Sequence, residues 1–239
     1  KQFFPDIKLQ NLANSVDTQV LQNALSSHSS SVNIGHAGTA MRFLTAFYAS
    51  QQGVTKILSG SPRMHQRPIG DLVDVLRQLG SQIDYLEQDG YPPLKIYGKQ
   101  LTPKIIKMKA DQSSQFVSAL LLISPSLADN FTIEFLTKPT SRTYIQHTLS
   151  LLQEIGYAFE FHTDHLAIKR PLSFKVPQQV AIESDWSAAS YLYSWVALSK
   201  NDQLDLKILN KNSFQADQVL PDIYQQFSIE TEWKKGSIH

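Results

Sequence analysis

An α/β fold assembled from a repeated β-α-β-α-β-β unit is what this chain predicts, and three observations carry it. Apolar residues switch back and forth between helical and strand periodicity along the whole length. The apolar stripe of one helix, Ile69, Leu72, Val73, Leu76 and Leu79, returns 76 residues later, the distance from Gly80 to Gly156, as Ile145, Thr148, Leu149, Leu152 and Ile155. Small or hydroxyl residues open an apolar helix at matching places: Gly38-Thr39-Ala40, Ser113-Ser114-Gln115 and Ser187-Ala188-Ala189.

The elements follow in order. Residues 3–12 form a strand-like opening. From Gly38 a helix runs to Ser50, then a strand over Val54–Leu58. A second helix spans Arg67 to Leu79, and Gly80 supplies the residue that ends it. Strands over Gln82–Leu86 and Leu94–Gly98 come next, joined by a turn through Gln88–Pro93. The pattern then repeats, and a third, fainter copy shows Leu220, Tyr224 and Phe227 in a helix over Gln215–Phe227, a strand over Ile229–Trp233 and a closing hairpin over Trp233–His239. The two prolines of Arg170–Pro177 mark a linker. A first lobe is expected over residues 1–180 and the first unit of a second over 181–239. The chain opens on Lys1 without Met and stops within a hairpin, so it reads as part of a longer protein.

The chemistry concentrates between Asn33 and Gly98. A helix opening on Gly38-Thr39 presents bare backbone N–H groups and a positive dipole end, which suits a phosphate or carboxylate. Arg67, ahead of Pro68-Ile69-Gly70, offers a planar bidentate donor for the same groups. Together they point to an enzyme of small acidic metabolites. Lys and Arg total 22 against 21 Asp and Glu, a net charge of +1, so nucleic acid is not the expected partner and anion preference is local. There is no cysteine, which excludes disulfide scaffolds, thiolate metal sites and cysteine nucleophiles. No apolar run reaches membrane-spanning length and no signal peptide opens the chain.

The strings GTAMRFLTA, SGSPRMHQRPIGDLVDVLRQLG, YPPLKI, SSQFVSALLL and SRTYIQHTL, in that order and over nearly the whole chain, resemble the 5-enolpyruvylshikimate-3-phosphate synthase family. The resemblance implies inside-out α/β barrel lobes of the enolpyruvyl transferase type. Two lobes each hold three of the repeated units, with sheets outside and helix N-termini converging on the cleft between them. It implies transfer of the enolpyruvyl group of phosphoenolpyruvate to the 5-hydroxyl of shikimate 3-phosphate, with release of phosphate. That step belongs to the shikimate pathway, toward chorismate and the aromatic amino acids. No cofactor or metal is implied, and the expected enzyme is a cytoplasmic monomer.

By the same resemblance, Gly38, Arg67 and Gln115 belong to the phosphoenolpyruvate site. Ser113, Ser114, Gln115, Ser141 and Tyr144 hold shikimate 3-phosphate, with the Ser141 hydroxyl on its phosphate. Arg42 and Asp185 form a structural ion pair at the hinge. His36 departs from the family, which usually has Asn there, and either places a titratable donor near the anions or simply packs. The family's early Lys-Ser…Ser-Asn-Arg segment is missing, as are the later Asp, Lys, Glu and Arg residues that handle protons and phosphoenolpyruvate. No catalytic acid or base is therefore expected in this chain, which reads as a half-site without turnover of its own.

Arg63 and Lys56 read as solvated surface charges, and His162 and His165 as a strand turn rather than a metal pair. Two rival functions remain at this stage. A UDP-N-acetylglucosamine enolpyruvyl transferase typically uses a cysteine acid, which is absent, and a non-catalytic phosphometabolite-binding module would need no further sequence.

Overall fold

The computed structural model describes residues 2–102, 105–199, 202–234 and 236–239. Lys235, within the expected closing hairpin, lies outside the described residues. The chain divides into two units, Lys1–Asp6 with Ala13–Val176, and Ile7–Leu12 with Pro177–His239. The expected division at Val180 thus differs in two places. The break falls at Pro177, and residues 7–12 group with the later unit, because strand β1 (Lys8–Gln10) pairs in parallel with β10 (Gln179–Ala181).

The first unit begins with α1 (Val16–Ser26), capped by the Ser15 hydroxyl, which accepts from Thr18 N at 3.2 Å. Its first repeat is β2 (Ser31–Asn33), α2 (Gly38–Ala49), β3 (Thr55–Ser59), α3 (Gly70–Gln78), β4 (Gln82–Tyr85) and β5 (Leu94–Tyr97). The second repeat is β6 (Ile105–Met108), α4 (Ser114–Leu122), β7 (Phe131–Phe135), α5 (Arg142–Glu154), β8 (Ala158–Phe161) and β9 (His165–Lys169). Each repeat makes a four-stranded sheet of the same order, β2-β3-β5-β4 and β6-β7-β9-β8, parallel at the first pair and antiparallel elsewhere. Cross-strand ladders line the core: Val32 faces Leu58 and Leu58 faces Leu94, while Ile106 faces Ile133 and Ile133 faces Leu166.

Helices α2 and α4 are apolar almost all round and buried almost all round, as such helices must be. They pack against each other inside the unit, and one continuous hydrophobic core runs through both repeats. The equivalent helices α3 and α5 both stop at a glycine of positive φ, Gly80 at +100° and Gly156 at +103°.

The expected helix from Arg67 starts instead at Gly70. Pro68 crowds the residue before it out of helical geometry, so Arg67 is extended (φ −97°, ψ 118°), and a 3-10 turn over Met64–Gln66 precedes it.

The second unit holds α6 (Trp186–Leu198), β11 (Leu206–Lys207), α7 (Leu220–Gln225), β12 (Trp233–Lys234) and β13 (Ser237–Ile238), besides β1 and β10. Its sheet, in the order β11-β13-β12, is antiparallel. The single helix expected over Gln215–Phe227 is split into a 3-10 turn (Ala216–Val219) and α7, with Pro221 in the first turn of α7. Of the strand expected over Ile229–Trp233 only Trp233 is in a strand, at the start of β12. Trp186, Ala189, Tyr193, Leu209, Leu220 and Ile238 form this unit's core. Among the described residues no helix is long and apolar enough to cross a membrane, and no group of three or more His, Asp or Glu side chains could hold a metal ion.

Candidate functional site

The start of α2 is electrostatically open. Its N-cap, Ala37, has no side chain that can accept from the first-turn N–H groups, and no acidic residue stands in that turn. The approach is shaped by Asn33, whose Oδ1 accepts from Gly35 N at 2.9 Å, and by Gly35 at φ +57°.

Gly38 is the pivot. A Cβ built on it would lie 2.2 Å from Arg67 Nη1 and 3.0 Å from Arg42 Nη1, so only a bare Cα lets both guanidiniums close over the helix start. Arg42 Nη1 donates to Gly38 O at 2.9 Å and reaches Met64 Sδ at 3.9 Å, while its buried Nε has no partner. Arg42 is only 5% exposed. Burial, and then the neighbouring Arg67, pull its pKa from 12.5 to about 10. Among the described residues of this unit, no carboxylate is ion-paired with Arg42, Arg63 or Arg67.

The 3-10 turn sets Arg63 and Arg67 four residues apart, and with His36 and Met64 they line a pocket of about 500 Å³. Two contacts tie the loop before α2 to the loop before this turn. Ser61 N donates to Gly35 O at 2.9 Å, and Ser61 Oγ bonds His36 Nδ1 at 2.9 Å. The approach requires Gly60, where a Cβ would meet Gly35 O at 2.8 Å. Arg63 is exposed, as expected for a solvated charge, and it also lines this pocket. Its spacing from Arg67 was the available signal. Lys56 is not a solvated charge: it is buried, donates to Ser27 O at 3.0 Å and to Ser29 O, and lies over the Tyr48 ring.

A second cluster surrounds the start of α4. Ser113 is its N-cap, and its hydroxyl accepts from Gln115 N at 3.3 Å. Ser114 is buried in the first turn. Gln115 reaches across to the first repeat, its Nε2 donating to Thr39 Oγ1 at 3.0 Å, a bond between residues 76 apart that joins the two helix starts. The loop before α5 is tied in by Thr137, whose Oγ1 accepts from Ala110 N and Asp111 N and donates to Asp111 Oδ1, and by Thr140 N, which donates to Ala110 O.

That loop ends on Ser141, the N-cap of α5, in the left-handed region at φ +45° with its hydroxyl uncommitted to the helix. Strain of this kind at a non-glycine residue persists where its surroundings enforce it. Tyr144, one turn on, is 38% exposed, and burial of the rest raises its hydroxyl's pKa above the usual value. Thr39 and Thr137 are the connectors that sequence reasoning missed, since each matters through a contact made far along the chain.

Asp185 lies in the second unit, where it caps α6 by accepting from Ser187 N at 2.8 Å. Arg42 lies in the first, with the partners given above. His162 and His165 sit at the β8–β9 turn with their rings stacked, and His165 Nδ1 bonds Asp164.

A family model described as EPSP synthase (3-phosphoshikimate 1-carboxyvinyltransferase) matches residues 6–239. A Bacteroides fragilis protein named 3-phosphoshikimate 1-carboxyvinyltransferase is 39% identical over 233 residues, covering 98% of this chain and 56% of its own length. A protein of the same name from Shewanella pealeana is 39% identical over 202 residues, covering 84% of this chain and 47% of its own length. The chain thus spans about half the length of the curated relatives it matches. An EPSP synthase structure from Acinetobacter baumannii superposes with a TM-score of 0.76 at 18% identity, covering 100% of this chain and 60% of that one. The enolpyruvyl transferase NikO from Streptomyces tendae gives 0.53 at 18% identity, covering 85% of this chain and 46% of that one.

Proposed function

The chain belongs to the EPSP synthase family and has the α/β fold of enolpyruvyl transferases, and from that premise we propose that it supplies a substrate-binding half of a carboxyvinyl transferase acting on phosphoenolpyruvate and shikimate 3-phosphate. The observation that carries the reading is the start of α2, where Arg67 and Arg42 close over Gly38 with no carboxylate paired to either among the unit's described residues. A site with this much unbalanced positive charge, an open helix dipole and a pocket alongside is built for a small anion. Phosphoenolpyruvate, with a carboxylate and a phosphate, fits that demand.

The hydroxyls and amide of Ser113, Ser114, Gln115, Ser141 and Tyr144 suit a polyol phosphate, and the Gln115–Thr39 bond supports neighbouring sites for the two substrates. In the proposed reaction the 5-oxygen of shikimate 3-phosphate bonds to the central carbon of phosphoenolpyruvate. Loss of phosphate from that carbon then restores the double bond. No residue of this chain is assigned to protonating or deprotonating this adduct. The relatives' names and the lack of cysteine disfavour the UDP-N-acetylglucosamine reading. The same lack of cysteine supports placing the enzyme in the cytoplasm.

Binding titrations on this chain test the reading. Arg67 is exposed in this chain, so Arg67→Ala should weaken phosphoenolpyruvate binding about tenfold, the low end for losing a bond to a charged group, and leave shikimate 3-phosphate affinity nearly intact. Arg67→Lys should restore part of it, keeping the charge but losing the fork. Ser141→Ala should do the reverse, weakening shikimate 3-phosphate about tenfold with no effect on phosphoenolpyruvate. Equal losses for both ligands in either variant, or equal affinity for shikimate with and without its phosphate, would refute the assignment.

A further inference from the structure

We propose that His36 is a proton-gated donor of the Arg67 pocket, which makes anion capture by this protein stronger below neutral pH. The inference rests on the reading of that pocket as an anion site and adds its regulation. His36 is one of the pocket's lining residues, with Arg63, Met64 and Arg67. Its ring is not free to turn, because Nδ1 is bonded to Ser61 Oγ at 2.9 Å. That hydroxyl is itself fixed: it accepts from Met64 N at 3.3 Å, while the Ser61 backbone N–H donates to Gly35 O. Nε2 is left without a protein partner among the described residues.

The consequence depends on the proton count. With one ring proton, the imidazole offers Nε2 as either a neutral donor or an acceptor, and Ser61 can serve both tautomers because a hydroxyl donates or accepts. As an acceptor, Nε2 would repel an anion. With two protons, both tautomers collapse into one cation that must present an N–H at Nε2. A bound anion then gains a charge-assisted bond and the imidazole's charge.

The charged groups around His36 are nearly all positive. Arg63 and Arg67 line the same pocket from the 3-10 turn, and Arg42 lies behind Gly38 on α2. His65, in the turn itself, is engaged by Ser59 Oγ and Glu87. No carboxylate among the described residues of this unit pairs with His36, so an arriving anion is the natural counter-charge for its proton. Proton uptake and anion binding are thereby linked: each favours the other by the same factor.

Sulfate is the suitable probe, since it remains a dianion from pH 5.5 to pH 8, whereas phosphate and phosphoenolpyruvate change charge in that range. Because His36 is exposed and an exposed charged contact is screened by solvent, isothermal titration of the 239-residue chain should show sulfate binding about two- to fivefold tighter at pH 5.5 than at pH 8. Between these two pH values binding should take up protons, seen as a heat that varies with buffer ionisation enthalpy. His36→Asn, which keeps an amide donor but cannot titrate, should bind alike at both pH values and lose the buffer-dependent heat, with a folded amide spectrum unchanged. Ser61→Ala should retain a pH step of reduced size. A full pH step in His36→Asn, or none in the native chain, would overturn the proposal. Undiminished sulfate binding in Arg67→Ala would instead overturn the anion-site reading beneath it.

Discussion

Arg42 is a charge whose burial costs the fold stability. Its guanidinium is buried, its Nε unpartnered, its Nη1 bonded to a neutral carbonyl, and the neighbouring Arg67 is of like sign. A basic group whose folded pKa is lowered, here from 12.5 to about 10, destabilises the fold wherever it is protonated. The cost is fully present at neutral pH and fades only as pH rises through about 10 and above. Arg42→Met keeps the apolar stem and removes the charge. It should leave the first unit's melting temperature without anions equal to or above the native value. Saturating sulfate at 100 times its Kd should raise the native Tm by roughly 5–10 °C, from about 2.7 kcal/mol of linkage, and the variant's by less than half as much. A fall of several degrees in anion-free buffer would show that Arg42 is an ordinary structural arginine. At this scale the sequence was legible where chemistry is local. Gly38 and Arg67 stand out as residue types, but the burial of Lys56 depends on carbonyls from Ser27 and Ser29, on a different segment.

The repeat itself was readable because each of the first two copies ends its second helix at a left-handed glycine and begins its first with small residues, signals that need no tertiary context. The polar exception in the second stripe, Thr148, has its reason in packing. Its Oγ1 meets Ser118 Oγ at 2.8 Å across the α4–α5 contact and also donates to Tyr144 O, so both hydroxyls are buried and satisfied. Ser118→Ala should cost about 1–2 kcal/mol in chemical denaturation, because Thr148 loses its cross-helix partner in a dry interface. Thr148→Val alone should cost a similar amount, and the double variant less than the sum, with a coupling of at least about 0.5 kcal/mol. Strict additivity would mean that the two helices are held by their apolar contacts alone. The boundaries that periodicity misplaced have equally local causes. Pro68 delays α3 to Gly70, and Pro221, in the first turn of α7, coincides with the break in the third copy's second helix.

What no pattern along the chain could show is that residues 8–10 belong with 179–181, because a parallel pairing of such separated strands leaves no periodic trace. The resulting second unit differs in kind from the first. The first has one core running through two complete repeats, with α2 and α4 enclosed. The second rests on Trp186, Ala189, Tyr193, Leu209, Leu220 and Ile238, while Tyr191, Trp195 and Leu198 on α6 are 79%, 63% and 89% exposed. Less apolar area buried per residue means less stabilisation against the same backbone entropy, so the second unit should unfold first. The chain carries its own reporter for this. All three tryptophans, Trp186, Trp195 and Trp233, lie in the second unit, whereas most of the helix is in the first. Urea titration followed by tryptophan fluorescence should therefore give a midpoint below that followed by far-ultraviolet circular dichroism, and amides of α6 should exchange with solvent faster than those of α2 and α4. Coincident midpoints and equal protection would mean that the two units fold as one cooperative body, and the weakness of the second core would then be offset by contacts outside it.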